Sequence, residues 1–304
     1  MAGRPNRGCT RRLGEVGKTE LPELYGDYTQ VVSLLVDLGV PPDFESDQEL
    51  RYTHRRAGST DIYFVSSPSD STVDTRCTFR ISGKKAELWD PATGRMIKVT
   101  VAEESGGRTR IPLSLEPCGS VFVVFRPAAT ASGSIPREEP LRPALEPGTE
   151  IPGPWEVQFQ SGRGAPERVA LSALIDLSKH AEAGVKYFSG TATYRTAFTI
   201  PAAGNGSGRR RYLDLGRVEV VARVRLNGRD LGIVWRAPYR VDVTQALRLG
   251  ENALEIEVAN LWPNRLIGDQ ALPPQQRVAW TTRNPFKKDS PLLPSGLIGP
   301  VVIH

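Results

Sequence analysis

From about residue 50 onward, apolar residues recur at every second position and almost never at helical spacing. D-I-Y-F-V-S-S (61–67), T-R-C-T-F-R-I (75–81), A-E-L-W-D (86–90), M-I-K-V-T-V (96–101), T-R-I-P-L-S-L (109–115) and S-V-F-V-V-F (120–125) each run for five to seven residues. Turn clusters separate them: S-S-P-S-D-S at 66–71, S-G-K-K at 82–85, D-P-A-T-G-R at 90–95 and S-G-G-R at 105–108. Successive side chains of a strand face opposite ways, so such runs bury one face and solvate the other. Short strands at regular spacing predict β-sandwiches. The 29 Gly and 25 Pro among 304 residues supply the turns this requires and disfavour long helices.

The pattern resumes after residue 150 with W-E-V-Q-F (155–159), T-A-T-Y-R-T-A-F-T-I (191–200), R-R-Y-L-D-L (210–215), V-E-V-V-A-R-V-R-L (218–226) and N-A-L-E-I-E-V (252–258). Asn227-Gly228, between two such runs, predicts a tight hairpin. The single helical period is Val31, Leu34, Leu35 and Leu38, ended by Gly39 and kept from restarting by Pro41-Pro42. The chain therefore divides into a disordered arm (1–24), a helical lead-in (25–49), a small β-sandwich (50–127), a Pro-, Ala- and Gly-rich linker (128–150) and a second β-sandwich (151–304). Trp262, Trp280 and Phe286 are expected to pin down the loop-rich tail, and Trp89 is expected in the core.

Composition excludes several function classes. The formal charge is +5, yet only eight of the 39 basic residues are Lys. The densest basic spots lie beside Gly-rich loops without interleaved aromatics, so no nucleic-acid partner is expected. No apolar run is long enough to cross a membrane, and no secretory pattern follows the basic N-terminus, so a cytoplasmic location is the expectation for the chain as given. Three scattered cysteines (Cys9, Cys77, Cys118) make neither a disulfide framework nor a zinc site, leaving at most a Cys77–Cys118 bridge. Only His54, His180 and His304 are available, with no nucleophile elbow, so Ser–His or Cys–His catalysis is not expected. Metal-ligand spacing is absent, although a structural calcium held by Asp, Asn and carbonyl oxygens leaves no fixed signature.

Two features carry chemistry. Glu255 and Glu257 alternate on one strand about 6.6 Å apart, a separation a glycosidase pair can use. With Leu254, Ile256 and Val258 as the buried face, the same pair is also what any half-solvated strand displays. The second feature is W-R-A-P-Y-R (235–240) with A-N-L-W-P-N-R-L-I-G-D (259–269), which concentrates Trp235, Arg236, Tyr239, Asn260, Trp262, Asn264, Arg265 and Asp269. Aromatic faces that pack on sugar C–H groups, with Arg, Asn and Asp for the hydroxyls, make a carbohydrate site. The alternative is that the tryptophans are core and Arg265–Asp269 is an ion pair ordering the loop.

At these residues the chain resembles a known family. G-P-W-E-V-Q-F (153–159), G-V-K-Y-F-S-G-T-A-T-Y-R (184–195), the run 213–244 and N-L-W-P-N-R-L-I-G-D (260–269) are similar to the C-terminal part of family 106 glycoside hydrolases, the α-L-rhamnosidases. D-I-Y-F-V-S-S and A-E-L-W-D-P-A-T-G resemble the preceding β-domain. The resemblance implies a mainly-β chain whose second sandwich is a jelly roll like the sugar-binding, galactose-binding-like domain of family 2 glycoside hydrolases. It also implies a catalytic (β/α)₈ barrel with calcium elsewhere in the parent, for which this sequence has no βα repeats, so no catalytic residue is assigned. Three roles stay open: a carbohydrate-binding or structural module, a stand-alone hydrolase using Glu255, Glu257 or Asp269, and a docking or self-associating module that meets a separate barrel through Leu34 and Leu38.

Overall fold

The computed structural model describes residues 29–100, 102–127, 145–201 and 210–304, and its contacts divide the chain into two compact units, 1–144 and 145–304. The arm expected at 1–24 and most of the expected linker lie outside the described residues. Helix α1 (Thr29–Asp37) stands where the period places it. It ends as Gly39 (φ 67°) turns left-handed: Val40 N–H reaches Leu35 O at 2.9 Å and Gly39 N–H reaches Val36 O at 2.9 Å.

The first unit is a β-sandwich. Strands β1 (Phe44–Ser46), β2 (Arg51–Ala57), β3 (Thr60–Ser66), β4 (Val73–Phe79), β5 (Lys84–Trp89), β6 (Met96–Lys98), β7 (Glu103–Ser105), β8 (Arg108–Leu115) and β9 (Ser120–Pro127) form two antiparallel sheets, ordered β1-β4-β8-β7 and β2-β3-β9-β5-β6. Alternate residues of both sheets meet in one core: Cys77, Phe79, Ile111 and Leu113 from one, Tyr63, Val65, Val123 and Phe125 from the other. Cys77 is a free thiol buried in that core, so the Cys77–Cys118 bridge is not formed. Trp89 is half-buried rather than core; its indole N–H donates to Glu87 at 3.0 Å and the Arg126 guanidinium lies over its ring.

The second unit is also a sandwich. It comprises β10 (Thr149–Glu150), β11 (Trp155–Phe159), β12 (Arg168–Leu171), α2 (Ala183–Lys186), β13 (Thr191–Ile200), β14 (Tyr212–Asp214), β15 (Arg217–Glu219), β16 (Val221–Leu226), β17 (Arg229–Val234), β18 (Arg240–Asp242), β19 (Gly250–Ala259), α3 (Pro263–Asp269), β20 (Gly296–Gly299) and β21 (Val302–Ile303). A six-stranded sheet, β12-β11-β13-β19-β16-β17, packs through Val157, Tyr194, Val224 and Ile256 onto Leu213, Val241 and Ile303 of the four-stranded β10-β21-β14-β18. Strand β10 lies inside the stretch expected to be linker and pairs with β21.

The predicted hairpin joins β16 to β17, with Asn227 and Gly228 both left-handed (φ 54° and 79°) between Leu226 and Arg229. Leu254, Ile256 and Val258 of β19 face the core, as their alternation requires. The mainly-β, two-sandwich fold is thus present, but α3 occupies sequence that reads as loop.

Candidate functional site

The residues singled out for carbohydrate part company in three dimensions. Asn264, Arg265 and Asp269 lie on α3, and every residue of that short helix is buried. Arg265 and Asp269 pair at 2.9 Å one turn apart, with side chains only 7% and 3% exposed. The other Asp269 oxygen accepts the backbone N–H groups of Val278 (3.1 Å) and Ala279 (2.8 Å). Asn264 clasps Leu293, donating to its carbonyl at 2.7 Å and accepting from its N–H at 2.8 Å. Gly268 is required here, because a Cβ would sit 2.5 Å from the Tyr187 ring.

These side chains therefore bind their own backbone, and they anchor the tail. The tryptophans expected to do that do not: Trp280 is 80% exposed and Trp262 56%. Of the two readings of this stretch, the ion pair that orders the loop describes Arg265–Asp269. Tyr239 is likewise committed, its ring against the core and its hydroxyl donating to Val220 O at 3.0 Å. Asn260 bridges Gly190 N–H and Phe188 O at 2.9 and 3.0 Å.

Trp235 (57% exposed) and Trp262 remain outside, with Arg236 half-buried beside the former and donating to Ala237 O. They leave the same end of the six-stranded sheet. Val234 of β17 pairs with Ala222 of β16, which pairs with Val258 of β19, so Trp235 follows β17 where Trp262 follows β19. Two ladder spacings separate those strands, about 9.6 Å.

The outer face of the same sheet carries an ion ladder. Glu255 and Glu257 share a face, as their spacing predicts, but Arg225 Nη1 donates to both, at 2.6 and 2.5 Å. Arg195 Nε donates to the second Glu255 oxygen at 2.8 Å, and its Nη1 to Gln158 at 2.7 Å. Burial pushes the Glu255 carboxyl up, yet the bonds from Arg225 and Arg195 outweigh it and hold the group below the usual carboxylate range. A general acid must keep its proton near neutrality, and Glu255 is held the other way.

Beside the ladder lies a cavity of about 670 Å³, lined by Gln158, Phe159, Gln160, Ser161, Gly162, Ala165, Glu167, Thr191, Thr193 and Glu257. Its floor is a cross-strand row, Gln158–Thr193–Glu257, over β11, β13 and β19. No sequence motif joins these residues. Alternation puts each on the outer face, but only strand order and register bring them together.

Elsewhere, His54 on β2 lies between Asp43 (Nδ1 to Oδ2, 3.0 Å) and Asp61 (Nε2 to Oδ1, 3.2 Å) and stacks on Tyr63. That cluster ties β2 and β3 to the chain ahead of β1. Burial raises the Asp61 carboxyl, but hydrogen bonds from Lys84 and His54 outweigh it and leave the group below its ordinary value. Among the described residues no three or more His, Cys, Asp or Glu side chains gather as metal ligands, so calcium is assigned no residue.

Comparison with known proteins bears on both units. Residues 16–103 match the profile of the glycoside hydrolase family 106 α-L-rhamnosidases, and 177–289 match the galactose-binding-like domain of family 2 glycoside hydrolases. A rhamnosidase from Novosphingobium sp. PP1Y is 41% identical with a TM-score of 0.73, over 90% of this chain and 26% of its own. A Formosa agariphila protein provisionally named a beta-glucuronidase is 38% identical over 177 residues, 51% of this chain and 15% of its own length. This chain thus spans about a quarter or less of the relatives it matches. Across both sandwiches it is similar to part of a rhamnosidase, and its second sandwich is similar to the galactose-binding-like domain of family 2 glycoside hydrolases.

Proposed function

We propose that this chain is a carbohydrate-recognising, non-catalytic β-sandwich portion of a rhamnosidase-like glycoside hydrolase, with Trp235 and Trp262 as the faces that meet sugar rings. The observation that carries this reading is the pair of half-exposed tryptophans leaving one end of one sheet, two strands apart. An indole left in water costs free energy that stacking on the C–H face of a pyranose recovers. The family likeness supports a carbohydrate as the partner, and the arginine-bound state of Glu255 and Glu257 supports recognition over turnover on that face.

The test is titration of the chain with L-rhamnose-containing oligosaccharides, followed by calorimetry and tryptophan fluorescence, beside nitrophenyl glycosides including the α-L-rhamnoside. Saturable binding is expected, without hydrolysis. Trp235→Ala and Trp262→Ala should each weaken binding about tenfold while leaving the unfolding midpoint nearly unchanged, as for exposed residues. Turnover lost in a folded Glu255→Gln or Glu257→Gln variant would overturn the reading in favour of a stand-alone hydrolase.

Helix α1 favours a second role, docking onto the remainder of such an enzyme. Its Val31, Val32, Leu34, Leu35 and Val36, with Leu38 just after it, are all 41–66% exposed. Self-association relieved by Leu34→Gln with Leu38→Gln, without change in sugar binding, is the result that role predicts.

A further inference from the structure

We infer that the outer-face cavity over Gln158, Thr193 and Glu257 is a second carbohydrate subsite, one that takes a neutral, hydroxyl-rich sugar residue and turns away uronates. The inference rests on the carbohydrate reading above, but on different residues. Gln158 spends its carbonyl oxygen on Arg195 Nη1 at 2.7 Å, and Gln160 spends its own on Thr191 N–H at 3.2 Å. Both amides are thereby fixed with their NH₂ ends available as donors. Thr191 and Thr193 add hydroxyls that donate or accept. Glu257 offers its second oxygen as an acceptor, while Arg225 bonds the first.

Fixed donors, adaptable hydroxyls and one acceptor on rigid strands suit the vicinal hydroxyls of a sugar, each of which both donates and accepts. Among the described residues no Lys or Arg lines the cavity, whereas Glu257 and Glu167 do. A ligand carboxylate would lose its hydration there and meet like charge first, because the nearest guanidiniums, Arg195 and Arg225, are already bonded to Glu255 and Glu257. The discrimination follows from that imbalance.

Register connects the cavity to the tryptophan end. The floor row continues from Glu257 to Arg223 and Ile233. One step nearer the sheet end, Gln160 N–H bonds Thr191 O at 3.0 Å, Thr191 pairs with Ala259, and Ala259 pairs with Val221. Continuing the β16–β17 register by one residue sets Trp235 beside Val221. The cavity and Trp235 thus occupy the same outer end of the sheet, on strands β11–β19 and β17.

The experiment is nuclear magnetic resonance of the labelled chain, reading the side-chain amides of Gln158 and Gln160 beside the indole N–H signals of Trp235 and Trp262. The probes are methyl α-L-rhamnoside, methyl β-D-galactoside and methyl β-D-glucuronide at pH 7. The two neutral glycosides should shift the glutamine amides, and the glucuronide should bind there at least tenfold more weakly. Gln158→Ala combined with Thr193→Val should abolish these shifts in a chain whose remaining spectrum is unchanged, and Trp235→Ala should leave them in place.

Indole shifts without amide shifts would overturn this subsite and leave the function proposed above standing. Amide shifts without indole shifts would do the reverse. Equal affinity for the glucuronide, or no shift at either set, would overturn the inference.

Discussion

Asp269→Ala is the sharpest test of the assignment of Arg265 and Asp269 to architecture rather than to ligand. One Asp269 oxygen holds the 5% exposed Arg265 at 2.9 Å, and the other holds the N–H groups of Val278 and Ala279. Removing the carboxylate leaves a buried guanidinium without its counter-charge, which costs about 3–5 kcal/mol. It also orphans two backbone donors at about 1–3 kcal/mol each, less whatever water recovers as the loop relaxes. A net loss of about 4 kcal/mol is expected, a large part of the stability of a domain this size. Arg265→Ala should cost less, about 2–3 kcal/mol, because Asp269 keeps its two amide donors.

The assay is thermal unfolding followed by the fluorescence of Trp155, Trp235, Trp262 and Trp280, with hydrogen exchange at Val278 and Ala279. At about 2–4 °C per kcal/mol for a unit of this length, Asp269→Ala should lower the midpoint by about 8–16 °C. The two amides should become the fastest-exchanging of their neighbourhood. An Asp269→Ala chain within about 1 kcal/mol of the parent, or an Arg265→Ala chain the less stable of the two, would refute the reasoning.

Three further outcomes are expected. Glu255 has a folded pKa below its unfolded value of about 4.3, so its stabilising contribution is complete above that pH and is lost as pH falls through the folded value. Acid titration of stability should therefore show a decline below about pH 4.3 that is smaller in Glu255→Gln. Burial, with the nearby Asp47 charge, pushes the Cys77 thiol up to about 12, so thiol reagents at pH 8 should label it only at the rate of unfolding, and labelling as fast as a free peptide thiol would contradict the packing. Asn252 is fully buried and its amide bonds Arg248 O, Gly250 O, Arg248 N–H and Asn227, so Asn252→Ala should cost about 2–3 kcal/mol in urea unfolding, more than any exposed substitution on β19.

Much of the fold was legible because strand alternation and turn chemistry are local. Asn227-Gly228 fits a turn that needs two left-handed residues, and Gly39 fits a helix end that needs one, so each was found from one or two residues. Burial in α1 was not local. Its period gave the helix correctly, but whether Leu34 and Leu38 are covered depends on partners the period does not name. The burial expected of Trp89 and Trp280 fails for a related reason: a large apolar side chain is a strong prior for burial, and no local rule says which ones are left outside.

The stretch 259–269 shows why site prediction is harder than fold prediction. Trp, Arg, Asn and Asp make a sugar site when they point at solvent and a buried polar clasp when they point at backbone, so composition alone supports both. A local signal did favour the clasp: Pro263 at the first helical position, with Arg265 and Asp269 four apart, is the pattern of a short helix with an internal ion pair. The cavity lacks even that. Gln158, Thr193 and Glu257 are 35 and 64 residues apart and meet only because β11, β13 and β19 pair in that order and register. A one-residue slip in either pairing would carry one wall of the cavity to the core face. The β13–β19 ladder that forbids such a slip runs for ten residues, from Thr191–Ala259 to Ile200–Gly250. The same packing that buries Tyr194 and Ile256 therefore sets the outer row, and the residues that meet on the outer face are specified by the core beneath them.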